Sequence, residues 1–303
     1  MPRSRVVVMD LSEDEGRLLR LCALTDRGQR SSDSQMQQMR SLITSLETQA
    51  PDCDAIDLNG DWKLIAALGE SAYRSSPFFW AFRQATGSMT TPIAIPNPSV
   101  PAGGPLASAV YAITDAIPLY DIGSVVQSIT GVCSEAAGCM LPELDDEGQG
   151  PSDGATGDSS TPMEGSSAGF PTGDAGTLES QVELIIGRNF GFPAAQSLMT
   201  TTCTMRELPE MRSSPSVVNC EVRVEKTAAK QSTIAALLPN MDELLSFPTG
   251  DALDAMAPSS STVRLMTTYL SCSASGLRIS RPMLEMGAMD YEEPPIFVYV
   301  RDN

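Results

Sequence analysis

Residues 218–225 alternate strictly: Val218, Cys220, Val222 and Val224 fall on one side, Asn219, Glu221, Arg223 and Glu225 on the other. Period-two alternation of this kind predicts a strand with one buried face. Shorter runs repeat it. Trp62, Leu64 and Ala66 alternate with Asp61, Lys63 and Ile65; Val182, Leu184 and Ile186 share a side; so do Val263, Leu265, Thr267 and Tyr269. Thr200 to Met205, Leu277 to Arg281 and Ile296 to Val300 read as further strands, and Ile122, Val125, Val126 and Ile129 fit either a short helix or a strand entry. Several short strands separated by turn residues predict a mainly β chain, and an antiparallel barrel rather than a parallel sheet.

The period changes near the start. From Ser12 to Ala23, Leu18, Leu21 and Cys22 share a helical face, and Ser12 with Glu15 forms a capping box. From Ser34 to Thr48, Met36, Met39, Ile43 and Leu46 follow the three-four spacing, with Leu42 beside them. The pattern divides the chain into an N-terminal helical hairpin (1–54) and a barrel domain (55–303). Inside the second part, Ser76-Pro77 is a helix start, and the helix holds Phe78, Phe79, Trp80 and Phe82. Ser232 to Leu238 and Met241 to Leu245 read as short helical pieces.

Charge sharpens the division. The chain of 303 residues carries a net charge of -18. No Lys or Arg lies between Arg83 and Arg188, while that stretch holds thirteen acids, so -18 less -13 leaves -5 for everything else. Residues 138–176, rich in Gly, Ser, Asp, Glu, Thr and Pro, read as a disordered acidic insertion with too little apolar surface to offset ordering entropy. Asp145, Asp146 and Glu147 there do not match an EF-hand. An acidic chain of this kind lacks the basic footprint that nucleic acid requires.

Histidine is absent, which excludes Ser-His-Asp and Cys-His catalysis and His-based metal sites. Seven cysteines without a Cys-x-x-Cys pair read as free thiols. No apolar run reaches eighteen residues, so the sequence predicts no transmembrane helix. No carboxylate pair stands out as catalytic, so an enzyme is the weakest of the functional readings.

The two ends of the second domain carry matching signals. Gly60-Asp61-Trp62 opens a strand and Leu277-Arg278-Ile279-Ser280-Arg281 lies on a late one. A Gly-x-Trp strand paired with a late Arg resembles the closure of lipocalin-like barrels: glycine permits close approach, the indole plugs one end, and a guanidinium stacks on it. Leu277, Ile279 and Arg281 share one face of the late strand, Arg278 and Ser280 the other. If the apolar face is the interior, Arg281 points inward; a register slipped by one brings Arg278 inward instead.

A wider set of blocks resembles the plastid-lipid-associated proteins, or plastid fibrillins. The blocks are Leu18-Leu19-Arg20-Leu21 with Thr25-Asp26-Arg27-Gly28, Leu58 to Leu64, Tyr73 to Phe79, Thr267-Thr268-Tyr269-Leu270, Leu277 to Arg281 and Phe297-Val298-Tyr299. The chain departs from the family pattern at Ile65 to Leu68, at Ser271-Cys272-Ser273 and at Pro282 to Pro295. The resemblance implies a plastid location, a lipocalin-like barrel, and a structural or lipid-handling role on plastoglobules, thylakoids or stromal partners, including support of prenylquinone metabolism. No metal and no cofactor is expected, apart from a possible bound lipid or prenylquinone. Phe78, Phe79, Trp80 and Phe82 are then either a lipid-contacting helix or a plug for the barrel mouth. The alternative role is an accessory or scaffold subunit of a photosynthetic or prenylquinone-synthesis complex. A hollow apolar interior favours lipid binding, and a packed one favours the scaffold.

Overall fold

The computed structural model describes residues 12–52, 55–87, 120–132, 175–186, 195–230, 233, 246–271, 276–283 and 294–302. The expected acidic insertion, apart from its last two positions, lies outside these residues. So do Cys53, Cys133, Cys139, Cys272 and, apart from Thr233, the two short helical pieces expected after Gln231. Among the described residues nine strands form: β1 (Gly60–Leu68), β2 (Tyr120–Thr130), β3 (Gly176–Ile186), β4 (Ala195–Glu207), β5 (Val218–Lys230), β6 (Ser246–Phe247), β7 (Thr262–Leu270), β8 (Leu277–Met283) and β9 (Ile296–Arg301). Four α-helices of the described residues accompany them: α1 (Glu13–Leu24), α2 (Asp33–Thr48), α3 (Pro77–Gly87) and α4 (Thr249–Met256).

Eight strands pair antiparallel in the order β1-β2-β3-β4-β5-β7-β8-β9, and β9 returns to β1. The sheet therefore closes in a ring, with β6 paired to β5 alongside. The ambiguous run around Val125 and Ile129 is strand β2, and Gly176, placed by composition in the insertion, already belongs to β3.

Two apolar clusters follow from the ring. The interior one includes Trp62, Leu64, Val125, Ile129, Leu178, Val182, Cys203, Met205, Val222, Phe297 and Tyr299. The second lies on the outside of one wall, where Ala66, Leu68, Tyr269, Leu277, Ile279, Ile296 and Val298 meet Leu18, Cys22, Met39, Leu42, Ile43 and Leu46 of α1 and α2. Alternation crosses from one cluster to the other at bulges. A register shift between Leu64 and Ala66 sends Ala66 and Leu68 outward, and one between Thr267 and Tyr269 does the same for Tyr269.

Caps and linkers fix the helices to the wall. The Ser12–Glu15 capping box forms, and the buried Glu15 carboxylate also accepts from the Tyr269 hydroxyl at 3.0 Å. Asp26, Arg27 and Gly28 all take positive φ. That turn wedges into the place where β1 leaves β2 after Lys63↔Val126: the Arg27 carbonyl accepts from Ala67 N at 3.1 Å, and its guanidinium donates to the Ile122 and Gly123 carbonyls. The Thr25-Asp26-Arg27-Gly28 block thus supplies partners for backbone groups that the ring leaves unpaired.

Candidate functional site

Trp62 is fully buried at one end of the ring, and its indole N–H donates to the Leu58 carbonyl at 2.7 Å. Arg278 lies 4.9 Å from the Trp62 ring and 4.1 Å from the Tyr299 ring; Arg301 approaches the indole to 4.7 Å. Strand register makes this unavoidable, because Trp62 pairs with Arg301 and Arg278 pairs with Tyr299. Of the expected closure residues, Trp62 and Arg278 are brought together, while Gly60 lies beside Arg301. Arg281 is not brought to them. Its face of β8, with Leu277 and Ile279, is the outer one covered by the helices, and its guanidinium pairs with Glu47 of α2 at 2.7 Å. The apolar side of β8 faces the helices, so the inward guanidinium belongs to Arg278. The role of Gly60 also differs from expectation: a Cβ there would meet only ordinary contacts at 3.8 Å, whereas its φ of +134° is one that other residues rarely adopt.

A polar row crosses the interior. Gln127, Ser180, Thr201 and Thr227 are directly opposite one another on β2, β3, β4 and β5. The Gln127 side chain donates to the Ser75 carbonyl at 3.1 Å and accepts from Arg278 Nη2. The Ser76 hydroxyl donates to Thr201 Oγ1 at 3.2 Å, and Thr201 lies 3.5 Å from Thr227 Oγ1. Burial pulls the Arg278 guanidinium down to about 10; nearby Tyr299 and Cys220 oppose the shift. Burial likewise pushes the Tyr299 phenol up, with Arg278 opposing.

The segment after β1 enters the ring from the other end. Glu70 pairs with Arg74 and, at 3.2 Å, with Arg83, all three side chains being buried. These pairs tie the 72–75 turn and α3 to the end of β1. Trp80 packs edge-on against Phe297 at 5.5 Å, and Phe79 against Tyr73 at 4.9 Å. Trp80 is buried in the interior cluster, whereas Phe79 is half-buried and also meets Phe78 edge-on at 5.0 Å. Phe78 and Phe82 stack at 5.9 Å and line a groove of about 390 Å³ with Met199, Ala228, Leu253 and Met256. Thr227, the outer end of the polar row, also lines it. Of the four aromatics read as either a lipid-contacting helix or a plug, Trp80 is buried in the interior, while Phe78 and Phe82 line the groove and Phe79 lies half-buried beside Phe78.

Sequence reasoning did not single out Gln127, Ser180, Thr201, Tyr299 or Arg301. A signal existed for three of them. Gln127 stands between Val125 and Ile129 at inward spacing, Ser180 between Leu178 and Val182, and Thr201 between Met199 and Cys203. Polar residues on an otherwise apolar inward face mark an interior network.

Among the described residues, no cluster of His, Cys, Asp and Glu is arranged to hold a metal ion. The described cysteines Cys22, Cys203 and Cys220 are buried, and burial raises all three thiols, to about 12 for Cys22 and Cys220. That disfavours the thiolate needed for nucleophilic chemistry. No helix of the described residues is long and apolar enough to cross a membrane. Comparison with family models, with curated proteins and with solved structures finds no match for this chain.

Proposed function

We propose that this chain is a non-catalytic lipid-associated protein of the plastid fibrillin type, its ring a lipocalin-like barrel and α1–α2 a helical hairpin packed on one wall. In this reading it works in a plastid, on a plastoglobule or thylakoid surface or in the stroma, and takes apolar lipid or a lipid surface rather than nucleic acid. The observation that carries it is the groove between α3 and the β4–β5 wall. Phe78, Phe82, Met199, Leu253 and Met256 give it an apolar lining, and its volume of about 390 Å³ falls in the range of roughly 300–1,000 Å³ typical of small-molecule sites. Large apolar side chains around a concavity favour an acyl or prenyl chain.

The test is a Phe78→Ser/Phe82→Ser double variant, because these rings line the groove while Trp80 is buried against Phe297. Flotation with galactolipid vesicles, and mass spectrometry of lipid extracted from the native protein, should both fall at least tenfold. Far-UV circular dichroism should stay unchanged. Unaltered flotation and lipid content in the folded variant would overturn the reading.

One observation favours the accessory-subunit alternative. Ala72, Tyr73, Trp80, Ala81 and Ala85 belong to the interior cluster, so the chain's own segment occupies the ring where a central ligand would sit. Under that alternative, native extraction yields no lipid and the protein copurifies in a defined plastid complex.

A further inference from the structure

No residue lining the Phe78–Phe82 groove carries a charge. The lining is apolar apart from the hydroxyls of Thr227 and Thr249. Two cations stand next to its β5 residues in sequence, and neither belongs to the lining. Lys226 pairs across the sheet with Thr202; the neighbours of Thr202, Thr201 and Cys203, point inward, so Lys226 lies on the outer face. Lys230 pairs with Glu179 at 3.8 Å.

The polar end of the groove is the last member of a chain of hydroxyls. Ser76 donates to Thr201 Oγ1 at 3.2 Å, and Thr201 Oγ1 lies 3.5 Å from Thr227 Oγ1. A hydroxyl has one proton to give. Thr201 is fully buried, and its oxygen already receives the Ser76 proton. Its own proton therefore goes to Thr227, since buried donors find acceptors. The Thr227 proton is then directed away from Thr201, and the Thr227 side chain lines the groove. An occupant meets a neutral donor beside large apolar side chains. A carboxylate seated there would lose its hydration without gaining a counterion, whereas a hydroxyl or carbonyl oxygen loses far less and accepts the bond.

We propose, resting on the lipid reading of this groove, that it selects a single-chain lipid with an uncharged oxygen head, an alcohol or a carbonyl, and discriminates against the corresponding carboxylate. Thr227 donates to the head oxygen, and the hydrocarbon chain lies against Phe78, Phe82, Leu253 and Met256. The hydroxyls of Ser76 and Thr201 act as positioning groups, since they set the direction of the Thr227 proton without reaching the groove themselves.

The experiment uses the full-length protein at neutral pH with N-phenyl-1-naphthylamine, a neutral fluorophore. Phe78→Ser/Phe82→Ser should weaken its binding at least tenfold, which places it in the groove. Dodecan-1-ol, dodecan-2-one, dodecanoate and dodec-1-ene, which carry twelve-carbon chains and differ in the head, then compete for it. The alcohol and the ketone should displace it at concentrations at least tenfold below the carboxylate and at least threefold below the alkene. Thr227→Val should cut the alcohol's advantage over the alkene at least threefold, while Thr202→Val, on the outer face, should leave that advantage in place. If Thr227→Val does not fold, the wild-type order of the four heads decides. A carboxylate that competes as well as the alcohol overturns the proposal, and so does a ketone no better than the alkene, because Thr227 would then not be the donor. Displacement by all four alike overturns the head assignment and leaves the groove a lipid site. A groove that binds neither the fluorophore nor any of the four chains overturns the lipid reading as well.

Discussion

The ring's interior and the outer cluster beneath α1 and α2 share one wall and differ in what they bury. The interior mixes large rings with a polar row and a lone guanidinium; the outer cluster is aliphatic, with Glu15 and Tyr269 as its buried polar pair. Both faces of β1, β7, β8 and β9 are therefore covered, and "apolar side" does not identify "inside". A helix pair stabilises a wall through side-chain burial, at about 1.5–3 kcal/mol for each large aliphatic residue. It can do so without touching whatever the interior accommodates.

The largest effect should separate the two clusters. Trp62→Ala removes a fully buried ring contacted on its faces by Arg278 and Arg301, and should cost about 3–5 kcal/mol. Ile43→Ala, fully buried in the outer cluster, should cost about 2–5 kcal/mol. The character of the loss should also differ. Hydrogen exchange should find the whole ring weakened in Trp62→Ala, whereas in Ile43→Ala α1 and α2 should open while β2 to β5 remain protected. Uniform deprotection in both variants would mean that the clusters form one cooperative unit.

Alkaline pH sharpens the comparison through thiols placed on both sides. Cys22 belongs to the outer cluster, Cys203 and Cys220 to the interior. Above the ordinary thiol value of 9.0 the unfolded chain ionises these groups, while the folded chain keeps Cys22 and Cys220 protonated to about 12 and Cys203 beyond. The folded state then binds more protons, so stability falls as pH rises from 9 towards 12, by roughly 1 kcal/mol per pH unit for each thiol. Arg278 acts in the opposite sense. Its depressed value makes the unfolded chain the better proton binder above pH 10, which restores part of the loss. Urea midpoints should therefore decline from pH 9, and Cys203→Ala should flatten the decline. Peptide-mapped alkylation under mild denaturant should reach Cys22 before Cys203 and Cys220; the reverse order would place the weaker unit in the ring.

How much of this the sequence disclosed follows from where burial is one-sided. The β5 alternation at Val218 to Val224 was legible because its inward residues lie in the interior cluster and the intervening side chains are largely polar. Helices α1, α2 and α3 were legible from caps, period and the Ser76-Pro77 start, whereas α4 was not read. The β8 register was not, since Leu277 and Ile279 are buried outside the ring and Arg278 and Ser280 inside it. The bulges in β1 and β7 were invisible as well, because one extra residue changes the face without changing composition. Phe78 to Phe82 announced a helix that either contacts lipid or plugs the ring, and only the packing of α3 on Phe297 separates the buried Trp80 from the groove rings Phe78 and Phe82.

The smallest effect falls on the residue the apolar pattern pointed to. Arg281 is about one-fifth exposed and bonds both oxygens of Glu47, which also accepts from the Thr268 hydroxyl at 2.6 Å. An ion pair at a partly wet edge is worth little, since solvent replaces most of what is lost. Arg281→Ala should cost less than about 1 kcal/mol, and Glu47→Ala a similar amount. The double variant should cost less than the two together, because each single change removes the same contact. Arg278→Ala presents the opposite case three residues away. It loses stacking on two rings and leaves the Gln127 oxygen unpaired, set against relief of a buried charge, for a net cost of about 2–4 kcal/mol. Chemical denaturation of both single variants reads the difference directly. Equal and near-zero costs would remove Arg278 from the ring's closure; a larger cost at Arg281 would mean that the helix pair, rather than the indole, secures this wall.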